Sequence, residues 1–391
     1  MLFTTLLKLS QITTGILIAL VFLIQCNSAS PPPLPATVSG PQLPIALLIP
    51  TGGELASMGR TVQNGFVLAF DEINETGGIA GRSISWQIYP TECTFDSGQL
   101  AAQQAMQDEH TFLLGPICTE AALGAATVVN EAALMIAPTA IHPRITVDAQ
   151  GQVRPTVFTG SYGYPLQGQA VAHFAGTHLD VRQAAVLYSP TDAYASALAA
   201  PFIDQFRTDG GHVTELTYPP GTTDFSSLLS SAKDSEAELL YLPVDANTAN
   251  QMVSQLSEID RAHFHIVGSD AWATDELDRN IMEGSFFPVH YTQRDPHPSL
   301  QAWAEKYKSV YAVEPDTLAA LAYDTAHILA SAIEQADSLN PKDVAKAIEQ
   351  NTFDGVTGPI AFGSQHTPIK PVPFLQIREQ TLYNEATLSL P

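Results

Sequence analysis

The sequence predicts an α/β protein built from two doubly wound parallel-sheet lobes. Short apolar runs bounded by prolines or glycines alternate with amphipathic stretches, and the alternation restarts midway along the chain. Pro44 to Pro50 (PIALLIP) suits a strand buried on both faces of a parallel sheet. A glycine-containing loop, Thr51 to Gly59, leads into Thr61 to Asn74, where Val62, Phe66, Ala69, Phe70 and Ile73 share one helical face. Thr76-Gly77-Gly78 ends that helix. Ser83 to Tyr89 alternates as a strand, Asp96 to Asp108 reads as helix, and Thr111 to Gly115 as strand. Thr119 to Ala132 is helix again, and Leu134 to Ala137 is strand. Each strand–helix unit takes about 20 to 30 residues, the spacing of crossover connections.

The rhythm restarts with a helix at Gly168 to His178 and a strand at Ala184 to Tyr188. Tyr194 to Thr208, Phe225 to Asp234 and Ala249 to Glu258 read as helices. His212 to Tyr218, Glu238 to Leu242 and His263 to Val267 read as the strands between and after them. Later helices are expected at Ala302 to Tyr311, Leu318 to Ala336 and Asn340 to Glu349. The alternating segments PIAF and FLQI, within Gly358 to Glu379, read as closing strands.

Composition narrows the function. The chain has 391 residues, 45% of them hydrophobic, which suffices for two cored lobes. Asp plus Glu outnumber Lys plus Arg by 40 to 17, and the net charge is -23. Such a surface repels a phosphate backbone and anionic lipid, so nucleic acid is not an expected partner.

The N-terminus points to export. Ile16 to Ile24 is an unbroken apolar run that rises only about 14 Å as a helix, well short of a bilayer core. It reads as the core of an export signal over 1–26, although a longer anchor counted from Ile12 stays open. Cys26 stands where a bacterial lipoprotein signal places its lipidated cysteine. Leu23 and Ile24 suit that signal; Gln25 replaces its usual small residue, leaving an uncleaved or differently cleaved signal as the alternative. Residues 27–43, rich in Pro and Ser, read as an extended tether. An oxidising compartment would let the two remaining cysteines, Cys93 and Cys118, pair.

Motifs for chemistry are absent from the sequence. There is no Gly-x-Gly-x-x-Gly after the first strand, no phosphate-binding Gly-rich loop, no His-Glu-x-x-His and no Gly-x-Ser-x-Gly elbow. His263 and His265 share a predicted strand, but two histidines do not make a metal site. No cofactor and no metal are expected.

Several segments, taken in order, resemble a known family. They are Ile45 to Gly59, DEINETGGIAGRSI (Asp71 to Ile84), Gly115-Pro116-Ile117-Cys118-Thr119, Ala137-Pro138-Thr139-Ala140, Phe158 to Gly168, Ala322-Tyr323-Asp324 and Gly355 to Phe362. Together, over nearly all of 43–380, they are similar to type I periplasmic binding proteins of the leucine/isoleucine/valine-binding group, which serve ABC importers. The resemblance implies two lobes joined by a three-crossing hinge, with crossings near Gly160, Pro288 and Gly358. Lobe 1 would be 44–159 plus 289–357, and lobe 2 160–288 plus 358–391. It also implies a Cys93–Cys118 disulfide, a small polar ligand between the lobes, ABC permease subunits as partners, and a monomer touching the membrane only through its N-terminal anchor.

The same resemblance nominates the site. Thr119, opening a helix, would bind a ligand α-carboxylate, its competing role being a plain N-cap. Ala140 and Ile141 fall where the family offers a carbonyl and a threonine hydroxyl; Ile141 lacks the hydroxyl. Tyr194 would close over the ligand from the second lobe, and Asp270 would pair with its ammonium. Trp272 is a candidate wall, and Met58, Tyr164 and Asp245 are further pocket candidates. Tyr164 stands where a small or acidic contact is expected, a second departure. Arg144 lies near the site loop but reads as a surface residue. The expected function is capture of an amino acid or similar solute for an importer, without chemistry on it. A ligand-sensing role and a secreted hydrolase are the competing readings.

Overall fold

The computed structural model describes residues 40–390. The expected signal, Cys26 and most of the tether lie outside the described residues.

The first lobe follows the predicted rhythm with small shifts. β1 (Gln42–Ile49) leads to α1 (Ala56–Glu75), β2 (Ser83–Pro90), α2 (Phe95–Gln107), β3 (Phe112–Leu114), α3 (Thr119–Ala126), β4 (Leu134–Ala137) and β5 (Val157–Thr159). The strands form a parallel sheet in the order β2-β1-β3-β4-β5. Successive residues of β1 feed opposite faces, as a pleated strand requires. Ile45, Leu47 and Ile49 join Phe66 and Phe70 of α1 in one core, while Ala46 and Leu48 join Ala102 and Ala105 of α2 in the other.

The second lobe repeats the plan. α4 (Tyr164–Thr177), β6 (Gln183–Tyr188), α5 (Ala193–Thr208), β7 (His212–Thr217), α6 (Ser226–Asp234), β8 (Leu239–Tyr241), α7 (Ala246–Ser254), α8 (Glu258–His263), β9 (His265–Val267) and β10 (Phe286–Pro288) follow in order. The chain then builds α9 (Pro298–Tyr311), α10 (Thr317–Ala336) and α11 (Pro341–Gln350). The last two pack on the α1 face of the first sheet. β11 (Phe353–Gly355), β12 (Gly358–Phe362) and β13 (Pro368–Ile369) make a small antiparallel sheet. β14 (Val372–Arg378) and β15 (Thr381–Leu388) finally extend the second sheet, whose order is β15-β14-β10-β9-β8-β6-β7.

Two expectations change. The helix expected over Ala249 to Glu258 divides into α7 and α8, because Ser257 caps a new helix through the amide of Asp260. His263 therefore ends a helix, while His265 starts the strand. The return to the second lobe, expected near Gly358, comes later. Ile360 and Phe362 of β12 are buried in the first lobe's core, and the chain joins the second sheet only at Val372.

The structure joins Cys93 to Cys118, with Cα atoms 5.2 Å apart and 25 residues of separation. Closing a loop of that length stabilises by about 3 kcal/mol, chiefly by restricting the unfolded chain. Reduction should therefore lower the urea midpoint of unfolding by an amount corresponding to about 3 kcal/mol. An unmoved midpoint would mean that the link does not constrain the chain.

Candidate functional site

Both parallel sheets have the order 2-1-3-4, so each has a switch point where successive crossovers leave in opposite directions. Ligands bind beyond the carboxyl ends of the strands at such a point. Every segment nominated from sequence follows one of these strand ends. Met58 follows β1, Thr119 follows β3, and Ala140 and Ile141 follow β4. In the second lobe Tyr194 follows β6, Asp245 follows β8 and Asp270 follows β9.

In the first lobe the loop before α3 is tightly constrained. Gly115 has φ +110°, and a Cβ there would lie 2.3 Å from the Leu48 carbonyl oxygen, so only glycine lets β3 turn this close to β1. The N-cap of α3 is Cys118, which gives no side-chain hydrogen bond. Thr119 is thus the first helical residue rather than the cap. The first-turn N–H groups of α3 have no side-chain acceptor and form a ready anion cradle. The Cys93 link holds this cap in place. The Thr139 hydroxyl donates to the Ile117 carbonyl at 2.7 Å, tying the loop of Ala140 and Ile141 to that of Thr119. Ala140 is buried and Ile141 half-buried; Ile141 lines a cavity with Gly163, Pro165 and Leu166. Met58 is exposed in the first turn of α1. Arg144 is exposed, and its amide donates to His142 Nδ1.

The second lobe gathers a polar cluster around Asp270. The Tyr194 hydroxyl donates to Asp270 Oδ1 at 2.6 Å, and His290 Nε2 lies 3.2 Å from Oδ2. The Asp270 amide donates to Gln167 Oε1 at 3.2 Å. Tyr164 meets Tyr194 edge-on, with ring centroids 5.5 Å apart. Tyr162 stacks on His290. Burial pushes the Asp270 carboxyl up, but the hydrogen bond and charge of His290, with the Tyr194 hydroxyl, outweigh it and hold the group below the usual carboxylate range. Burial beside this carboxylate drives the Tyr162, Tyr194 and Tyr241 hydroxyls upward, so they remain neutral donors. Tyr162 OH, Tyr241 OH, Gln167 Nε2 and His290 Nδ1 are buried without a protein partner. Such orphans mark a place for ligand or water.

Two nominated residues have other duties. Trp272 is 1% exposed, and its indole N–H donates to the Val244 carbonyl at 3.0 Å. The same carbonyl accepts from the Ser269 hydroxyl, so Trp272 anchors the turn that carries Asp270 from beneath. Gly268 permits this: a Cβ there would lie 2.1 Å from the indole. Asp245 caps α7, accepting from the Thr248 amide and hydroxyl. Sequence reasoning missed His290, Gln167 and Tyr162. Each left a signal: His290 lies two residues beyond Pro288 and Tyr162 two beyond Gly160, where two of the crossings were placed, and Gln167 falls within the segment Phe158 to Gly168.

An uncapped helix start on one lobe and an ionised carboxylate on the other both lie at strand carboxyl ends, where open α/β sheets bind their ligands. The chain belongs to the periplasmic binding protein family, whose model matches residues 42–381. It is 26% identical over 336 residues to the Leu/Ile/Val-binding protein BraC3 of Rhizobium johnstonii, across 84% of this chain and 88% of that one. It is 23% identical over 322 residues to the leucine-, isoleucine-, valine-, threonine- and alanine-binding protein of Pseudomonas aeruginosa, across 81% and 85%. Its fold matches that of an ABC transporter substrate-binding protein from Desulfitobacterium hafniense in complex with Leu. The TM-score there is 0.73 at 21% identity, covering 89% of this chain and 100% of that one. Family membership places the protein outside the cytoplasmic membrane. No helix among the described residues is long and apolar enough to cross a membrane.

Proposed function

We propose that the protein captures an α-amino acid, with branched-chain side chains first in order, and delivers it to an ABC permease without reacting on it. The observation that carries this reading is the pairing of opposite ends. The uncapped start of α3 with Thr119 suits a carboxylate, and Asp270 with Tyr194 suits an ammonium. Ligand between the lobes would favour their closed arrangement by its extra contacts there. Ile141 is accommodated if its backbone N–H, rather than a hydroxyl, meets the ligand. Export through 1–26, a lipid anchor at Cys26, a flexible tether and a monomeric state complete the reading.

Isothermal titration with leucine, isoleucine and valine tests it. Leucine at about 100 times its dissociation constant should raise the unfolding free energy by about 2.7 kcal/mol. Thr119→Val should weaken leucine about tenfold or more, the worth of one hydrogen bond to a charged group. Absence of binding by every α-amino acid, with binding of small amides instead, would replace the reading by the sensor alternative.

A further inference from the structure

Asp270 is the group that would take a ligand's ammonium, yet each of its oxygens already has a neighbour, Tyr194 OH on Oδ1 and His290 Nε2 on Oδ2. An ionised carboxylate only accepts, so Nε2 carries a hydrogen. The open variable is the other ring nitrogen. With Nδ1 bare the ring is neutral and Asp270 offers its full charge. With Nδ1 protonated the ring is a cation already matched to Asp270, and an arriving ammonium meets a like charge beside its acceptor. The ring has little freedom to turn aside. His290 is 10% exposed, its ring centroid lies 3.9 Å from that of Tyr162, and Nδ1 is buried without a partner.

We propose that His290 is a specificity-determining residue of the cleft, and that capture of an ammonium-bearing ligand expels the Nδ1 proton from its ring to solvent. The N–H of Nε2 stays on Asp270 throughout. The inference rests on the amino-acid reading above. It makes the cleft discriminate against ammonium termini under acidic conditions and accept them as the ring becomes neutral.

The groups around His290 are few. Asp270 faces it from the turn after β9, Tyr162 from the first crossing, and Tyr194 of α5 and Tyr241 of β8 stand around Asp270. On another side His290 lines a cavity of about 580 Å³ with Asp295, His297 and Asp354. The tyrosines stay neutral over the relevant range. His297 is the other imidazole lining that cavity and serves as the control.

Leucine titrations between about pH 5 and 8, in buffers of different ionisation enthalpy, decide the matter. On the acid side the dissociation constant should weaken about tenfold per pH unit, with about one proton released per leucine bound. H290Q retains an N–H donor without a titrating ring, so its profile should be flat and its proton release absent. H297Q should keep the wild-type profile. If H290Q fails to fold, the His290 ring resonance in the wild-type protein decides instead: saturation with leucine must lower its midpoint. Tight leucine binding with a flat wild-type profile, or a slope that H297Q alone removes, overturns the inference and leaves the amino-acid reading intact. Failure of any α-amino acid to bind near about pH 8, where a free imidazole is neutral, overturns that reading and the inference with it.

Discussion

Asp270→Ala should weaken leucine binding by at least about a hundredfold while the two lobes stay folded. The substitution removes the only carboxylate of the polar cluster, so the Tyr194 hydroxyl and His290 Nε2 both lose the charged partner they share. A charge-assisted pair of this kind is worth about 3 kcal/mol, or roughly two decades of affinity. Asp270→Asn is the sharper variant, since it keeps the shape but removes the charge and leaves one acceptor oxygen where Tyr194 and His290 use two. Calorimetry checks both, and unchanged affinity in either would take Asp270 out of the site. The carboxyl lies below its unfolded value in the native state. Its contribution to stability is therefore present above the unfolded pKa, about 3.9, and fades as the pH falls through the lower native value. The stability difference between wild type and Asp270→Ala should accordingly shrink in acid, which urea midpoints across the acid range measure.

The backbone of this site was readable because it depends on periodicity. Runs such as Pro44 to Pro50 and Ala184 to Tyr188, alternating with amphipathic helices, suit strands buried on both faces of a parallel sheet, and the carboxyl ends of such strands are where ligands bind. Thr119, Tyr194 and Asp270 follow from that placement together with family resemblance. What stayed hidden depends on contacts between distant segments. His290 and Asp270 are 20 residues apart, and no local pattern links them. Trp272 was legible as an aromatic near the site, but sequence cannot tell a wall from a foundation. Its burial follows from the Gly268 backbone and the Val244 carbonyl, which only the folded turn brings together. The third crossing was misplaced for a similar reason. A strand pattern at Gly358 to Phe362 does not say which lobe receives it, whereas the core around Ile360 and Phe362 does.

Asp324→Ala should destabilise the fold by about 3 to 5 kcal/mol, the cost of leaving a buried charge without its partner. Asp324 is 1% exposed on α10 and accepts from the amides of Val356 and Thr357 at 2.7 and 3.1 Å, and from the Thr357 hydroxyl. That hydroxyl in turn accepts from Lys370, itself 3% exposed. The network therefore fastens the segment after β11, and the residue just before the third crossing, to the long helix of the first lobe. Burial holds Lys370 down to about 8, with Asp324 pulling the other way, and the same burial raises Asp324 against the pull of Lys370. For the lysine the unfolded chain binds more protons between about 8 and 10.5, so this group alone makes stability rise with pH across that window. Asp324→Ala should show as a melting temperature lower by about 5 °C. Lys370→Met should cost less, because three donors still satisfy Asp324, and should flatten the alkaline rise. The double variant Asp324→Asn, Lys370→Met keeps the side-chain volumes and buries no charge, so it should recover most of the loss. If Asp324→Ala melts within a degree or so of wild type, the triad is no anchor, and the third crossing must be held by its apolar contacts alone.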